Sequence, residues 1–472
     1  MKPVWKSVLA SIVCLAATRG YAQTPQKVNP PDDRYKADIL IVVAHPDDEA
    51  FFTPYAVKAL NDMHKSVAVI FSTRGGSGAN RFTRERGPAM ANEREIEARE
   101  ACAKLGIKNV WFLDGKDSAS QNVLDSLSSW GHGANLEKLV GLIRLTRPEV
   151  IMTHHPGIFV GEDHGDHQAT GVLVVEAFDL AGNPAVFPAQ LSGDMTHYES
   201  YLSNLRPWQA KKIYVGSDAD DGKQFDGSGP TYSPREISPS LKKPYWRTAL
   251  ESAMSHRTQF PDFIDRLQKM SDAELEKMMS DPDTGWWGDP STLIFAKSVV
   301  GGAPTDPVFA HVEDKPVSPA SQAMNSCDPA GPKSNLPRVQ LGGPWEFYSH
   351  FYPDHGLCQL RIAKVPEIVV KSGVTLIVPL VIEHDASKTA ELSLSVKLPE
   401  GWKAGPGPLK FTLPAEASSA VAVHVDTPTL SSDDLKKAKL QEVRVSAEVD
   451  AKPAGEVVLR VTLKATALPQ SL

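Results

Sequence analysis

Four ionisable side chains crowd into "AHPDDE": His45, Asp47, Asp48 and Glu49, directly after the apolar run "ILIVV". Neighbouring carboxylates repel one another and are costly to bury, so something must offset the crowding. A divalent cation does so, because it binds both carboxylate oxygen and imidazole nitrogen. His45 and Asp48, three apart around a bend held by Pro46, can face one ion. A catalytic zinc takes three protein ligands and leaves a position open. The obvious donor of the third is "EDHGDHQATG", where His164 and His167 bracket Asp166 just ahead of an apolar helical stretch. Two adjacent aspartates do not easily face the same ion. One is expected to bind it while the other stays free to take a proton from bound water, whose pKa a zinc ion lowers to about 7.

The elements that must position these residues are legible as an alternation. "ADILIVVA", "SVAVIFST", "KNVWFLDG" and "PEVIMTHH" read as strands buried on both faces, and "EAFFTPYAVKALNDM", "ANEREIEAREACAKLG" and "NLEKLVGLIRLT" read as helices between them. That order predicts an α/β fold, a Rossmann-like parallel sheet with helices on both faces. In such sheets ligands bind beyond the carboxyl ends of the strands. Every polar cluster of the first half falls on that rim: "AHPDDE", "FSTRGGSG", "FLDGKDS" and "THHPGIFVGEDHGDH". "GGSG" lacks the spacing and the lysine of a phosphate loop. His154 and His155 are read as lining the pocket or bonding to backbone rather than as ligands.

"AHPDDE" followed by "HGDH" resembles the two signature motifs of the PIG-L/LmbE family of zinc-dependent N-deacetylases, and "STRGG", "NEREIEAREACAKLGI" and "FLDGKDS" fall where that family has related segments. The resemblance runs over about 37–179 and more loosely to about 300. It implies that His45, Asp48 and His167 hold Zn2+ or another divalent cation, with Asp47 as general base. It further implies that protonated His164 hydrogen-bonds the developing oxyanion and that Asp166 orients a histidine. Arg74 matches a family arginine that touches substrate, and His256 in "SHRTQF" matches a weaker downstream motif. Gly165 stands where many members have proline, which alters the loop but removes no ligand. The implied activity is hydrolysis of an N-acyl, chiefly N-acetyl, group on an amino sugar or glycan. The rivals are a deacylase of N-acyl amino acids or antibiotic-like amides, and a non-catalytic glycan- or surface-binding protein.

The 472-residue chain is expected to divide into a signal peptide over 1–22, a domain over 37–305 that the resemblance implies is deacetylase-like, a Pro- and Gly-rich bridge over 306–360 and an Ig-like antiparallel β-sandwich over 361–472. The sandwich rests on alternations such as Leu392, Leu394 and Val396, or Val421, Val423 and Val425. It resembles modules appended to secreted carbohydrate-active enzymes. Lys2 and Lys6 precede the short apolar "SVLASIVCLAAT", and cleavage after Ala22 predicts a secreted or periplasmic protein without stable membrane insertion. The formal charge of −7 argues against a nucleic-acid partner. Small molecules or glycans are the expected partners. Cys102 sits on a helix stripe with Ala98, Ala101 and Leu105 and reads as a core thiol, while Cys327 and Cys358 are free to pair in an oxidising compartment.

Overall fold

In a computed structural model the described residues are 32–118, 120, 122–157, 164–192, 200–216, 227–281, 287, 289–317, 336–361, 365–385 and 387–465. The expected leader and Cys327 lie outside them.

Strands β1 (Ile39–Val43), β2 (Val67–Phe71), β3 (Asn109–Phe112), β4 (Val150–His154) and β5 (Lys212–Gly216) form a parallel sheet in the order β3-β2-β1-β4-β5. A sixth strand, Ile294–Ser298, closes the β5 edge in antiparallel pairing. The continuous apolar runs follow from burial on both faces. In β1, Leu40 and Val42 enter one core while Ile39, Ile41 and Val43 enter the other. Each such side chain, fully removed from water, contributes about 1.5–3 kcal/mol.

Helices α1 (Thr53–Asn61) and α2 (Pro88–Leu105) cover the face of Ile39, and α3 (Val123–Trp130), α4 (His132–Thr146) and α5 (Gly165–Ala181) cover the other. Helix α2 starts with Pro88 in its first turn and stops at Gly106, whose φ of 88° ends the helix in the left-handed conformation. Cys102 is buried on this helix as a free thiol, matching its expected place. The irregular chain after α5 is anchored by fully buried Arg144. Its guanidinium donates to the carbonyls of Ala181, Asn183 and Val186 and to Gln190 Oε1 at 2.8 to 3.0 Å. No helix among the described residues is long and apolar enough to cross a membrane.

The C-terminal part is β-rich, with two sheets sharing one apolar core. One sheet runs in the order Glu367–Lys371, Lys452–Lys464, Gln441–Val449, Ala390–Lys397, Lys410–Leu413. The other runs Lys403–Ala404, Ser418–Asp426, Thr375–Glu383, Arg338–Leu341. The expectation of a wholly antiparallel arrangement needs one correction: Glu367–Lys371 pairs with Lys452–Lys464 in parallel. The stretch read as a bridge holds two elements. Arg338–Leu341 is an edge strand of the second sheet. The helix Pro344–His355 turns Tyr348, Phe351 and Tyr352 into the core beneath α4 and α5, with the Tyr348 hydroxyl 3.2 Å from Gln168 Oε1 and His355 Nδ1 2.8 Å from Asp179 Oδ2. Cys358 is disulfide-bonded; its expected partner, Cys327, is outside the described residues.

Candidate metal centre

The site is built where β1, β4 and α5 meet at the carboxyl edge of the sheet. After Val43 the chain turns sharply through Asp47, which is held at φ 118° and ψ −26°. A residue with a Cβ is strained at such a φ, and strain of this kind persists where surrounding contacts impose it. Those contacts come from His256, Gln259 and the motif itself. His256 Nε2 lies 2.6 Å from Glu49 Oε1, Gln259 Nε2 donates to the Pro46 carbonyl, and the Asp47 amide donates to Glu49 Oε2 at 3.0 Å. The acids therefore precede α1 by a short 3-10 turn over Asp48–Phe51 instead of starting the helix itself.

Asp48 is the hub. Its Oδ2 accepts from the His45 amide at 2.6 Å and lies 3.2 Å from His45 Nδ1, 3.2 Å from His154 Nε2 and 3.4 Å from His167 Nε2. The rings of His45, His164 and His167 lie with centroids 4.4 to 5.2 Å apart. Three overlapping sets bring potential ligand atoms within 4.8 Å of one another: His45, His164 and His167; Asp48, His154 and His167; and His45, Asp117 and Asp166.

On its far side His45 Nε2 faces Asp117 Oδ1 and Asp166 Oδ2, each at 3.4 Å. Asp166 is clamped in turn: Ser126 Oγ donates to its Oδ1 at 2.6 Å, Ser118 Oγ to the same oxygen at 2.9 Å and the Ser118 amide to Oδ2 at 2.8 Å. Gly165 makes that clamp possible. Its amide donates to the Ser120 carbonyl at 2.7 Å, which a proline could not do, and a Cβ there would sit 2.8 Å from the carbonyls of Ser120 and Asn122.

The electrostatics separate the two aspartates. Burial, then the Asp48 charge, pushes the Asp47 carboxyl up to about 7. Burial also opposes ionisation of Asp48, but His167 and His154 beside it hold its carboxyl well below the usual range. Burial works against charge on His45 too, yet Asp117, Asp166 and Asp48 raise it well above an ordinary histidine. His164 moves the other way. Burial, then His167 and His45, push it well below the usual range. As N-cap of α5 its Nδ1 accepts from the Asp166 amide at 3.3 Å, so the ring proton sits on Nε2.

The residues expected from sequence fare unequally. His45, Asp48, His164, Asp166 and His167 are brought together, and Asp47 stands beside them in none of the candidate ligand sets. Arg74 is not: half-exposed, it pairs with Glu95 at 3.2 Å over the Phe112 ring. His256 is 1% exposed and bonded to Glu49, where it props the motif turn. His155 is held neutral by burial, near 3, and its Nδ1 accepts from the Gly157 amide. The residue the sequence reading left unassigned is Asp117, of which "FLDGKDS" on the rim was the available sign; His154, read as lining the pocket or bonding to backbone, lies against Asp48.

The donors fit a borderline divalent cation. Imidazole nitrogens and one ionised carboxylate converge, and Asp48 Oδ2 has more nitrogen neighbours than its two lone pairs can serve. A sequence profile described as PIG-L, GlcNAc-PI de-N-acetylase, matches residues 40–178, the segment that supplies all of these groups. This segment is a PIG-L family domain. The PIG-L region is similar to the 1D-myo-inositol 2-acetamido-2-deoxy-alpha-D-glucopyranoside deacetylase of Thermobifida fusca, 26% identical over 192 residues, covering 38% of this chain and 60% of that protein. It is similar also to the diacetylchitobiose deacetylase of Thermococcus kodakarensis, 28% identical over 158 residues, covering 34% of this chain and 55% of that protein. The chain thus spans about 60% or less of the length of these relatives. A solved N,N'-diacetylchitobiose deacetylase from Pyrococcus horikoshii superposes on 53% of this chain and 79% of its own, at 22% identity and a TM-score of 0.36.

Proposed function

We propose that the protein is a cation-dependent hydrolase that removes the acyl group, acetyl in the first instance, from an N-acylated amino sugar or a glycan containing one. The observation that carries this reading is the division between Asp48, surrounded by imidazoles, and Asp47, next to it but outside every candidate ligand set. His45, Asp48 and His167 would hold the cation, zinc or another divalent ion. When bound, it supplies Lewis acidity, activating water and polarising the amide carbonyl.

The remaining work falls to the chain. Asp47, beside the ligand set but outside it, accepts the proton of the attacking water and returns it to the leaving amine, serving as base and acid in turn. His164, with its proton on Nε2, donates a hydrogen bond to the oxyanion of the tetrahedral adduct and needs no charge to do so. Asp166, fixed by Ser118 and Ser126, holds His45 in orientation. The amino-sugar substrate is supported by what the two relatives' names describe. Export is supported by the leader-like N-terminus and by the disulfide at Cys358, which belongs to an oxidising compartment.

The test is acetate release from N-acetylglucosamine and its oligomers by purified protein, before and after a chelator and after zinc is restored. Activity lost with the chelator and regained with the ion is the expected result. Equal release in the chelated protein, or none from any N-acetylated sugar, sinks the reading.

A further inference from the structure

His154 is the last residue of β4, where its backbone pairs with Gly216 of β5, and it is 1% exposed. Its ring is stacked on that of His167, with centroids 4.1 Å apart and planes 7° from parallel, and Phe51 packs edge-on against it at 5.7 Å. Both Nε2 atoms of the stacked pair point at one atom, Asp48 Oδ2, at 3.2 and 3.4 Å. That oxygen already accepts the short bond from the His45 amide and has His45 Nδ1 at 3.2 Å. A carboxylate oxygen carries two lone pairs, so the amide leaves room for one further donor among three imidazoles. Charge-assisted N–H bonds to carboxylate are also shorter, about 2.7–2.9 Å. The ligand atoms of Asp48, His154 and His167 lie within 4.8 Å of one another, as a shared electron-pair acceptor requires, and His45 Nδ1 adjoins the same carboxylate oxygen.

We propose that His154 is a metal ligand, so that the cation is held by four protein groups, His45, Asp48, His154 and His167. The inference rests on the cation reading above. His154 suits the role because strand pairing fixes its backbone and two ring neighbours fix its side chain, the preorganisation a ligand needs. Its neighbour His155, on the opposite face of the strand end, is occupied with the Gly157 amide and takes no part. Four protein groups leave fewer positions on a tetrahedral ion than a hydrolytic site needs. The set therefore favours an ion content with five or six ligands, such as Fe2+, Co2+ or Mn2+, more than a site with three protein ligands would.

The experiment uses the full chain loaded with Zn2+ or Co2+, with affinity measured by competition against a chelating dye. X-ray absorption of the zinc form of the unaltered protein counts imidazoles without any substitution; three are expected, and two overturn the proposal. In His154→Gln, affinity should fall by more than the roughly 10–100-fold that follows loss of a group merely hydrogen-bonded to a ligand. The visible bands of the Co2+ form should shift with the lost nitrogen, while the melting temperature of the metal-free protein shows that the variant folds. Unchanged affinity and an unchanged Co2+ spectrum overturn the role of His154 and leave the hydrolase reading intact. Failure of the unaltered protein to bind any divalent cation overturns both.

Discussion

The two halves of the molecule spend their interiors differently. Among the described residues the α/β part buries some thirty polar or charged side chains, several of them in the group around Asp48, while beyond residue 336 only His384 and Thr427 are buried. An apolar interior is what stability alone asks for, because a buried polar group costs free energy unless it is partnered. The β-rich part, with Val, Leu, Ile and Ala filling the space between its sheets, meets that demand and little else. The α/β part carries a strained aspartate, opposed carboxylates and stacked imidazoles at one rim. The difference places the candidate chemistry in the α/β half.

The sharpest way to test that division is Asp47→Asn. The amide cannot accept the proton, and loss of a general base lowers turnover by about 10²–10⁴-fold. Cation affinity, set by other side chains, should stay within a few-fold. Steady-state acetate release alongside dye competition measures both, and a large loss of affinity would mean that Asp47 is itself a ligand. The counterpart in the other half is Leu392→Ala, at a fully packed position. It should cost about 2–5 kcal/mol of stability on denaturant unfolding while leaving the rate of acetate release below the transition unchanged. If turnover fell with stability, the β-rich part would be bracing the site.

How much of this could be read from the residues alone follows the same division of labour. Strands buried on both faces write continuous apolar runs, so β1, β2 and β4 were legible, and the histidine and acid motifs after them fell on the rim because a parallel sheet puts strand ends on one side. For His154 a place in the pocket was legible, but its contact with Asp48 was not. The histidine follows four buried residues of a strand, and its partner Asp48 is far away in sequence, so only the register of β1 against β4 brings the two together. The element Pro344–His355 was missed for a local reason: "PWEFYSHFYPDH" is rich in aromatics, weak helix formers, and has Pro353 inside. It is helical because Tyr348, Phe351 and Tyr352 find a core beneath α4 and α5. Alternation marks strands but carries no information on the direction of their neighbours, so the parallel pairing of Glu367–Lys371 with Lys452–Lys464 was not legible. Arg74, a motif position expected to touch substrate, lies in an ion pair with Glu95.

Two glycines sharpen the contrast within the α/β half itself. Gly165→Ala would drive a Cβ to 2.8 Å from two backbone carbonyls, an overpacking expected to cost about 1–3 kcal/mol. The segment that must retreat carries Ser118 and Ser126, which clamp Asp166, so turnover should fall as well. Gly133→Ala, in α4 with nothing within 4 Å of the added atom, should instead stabilise by about 0.4–1 kcal/mol with turnover unchanged. Thermal melts of the two variants with acetate assays separate them; equal and small effects would mean that the close packing at Gly165 is dispensable.

The smallest effect lies away from the rim, at the pair of His132 and Glu176, whose Nε2 and Oε2 are 2.5 Å apart between α4 and α5. The hydrogen bond to Glu176 raises the His132 pKa, burial pulls against it, and the carboxylate charge adds to the rise. A histidine raised in the folded state binds its proton more tightly there than in the unfolded chain. Its contribution is therefore fully present below the unfolded value of about 6.5 and disappears as pH climbs through the higher folded value. With the His132 side chain 38% exposed, solvent screening keeps the gain below about 1 kcal/mol. The melting-temperature difference between the unaltered protein and His132→Gln should be widest near pH 6, at about 2–4 °C or less, and should close as pH rises through the folded value. A gap that widened on the alkaline side would show that this pair opposes folding, and with it that burial governs the α/β half more strongly than partnership.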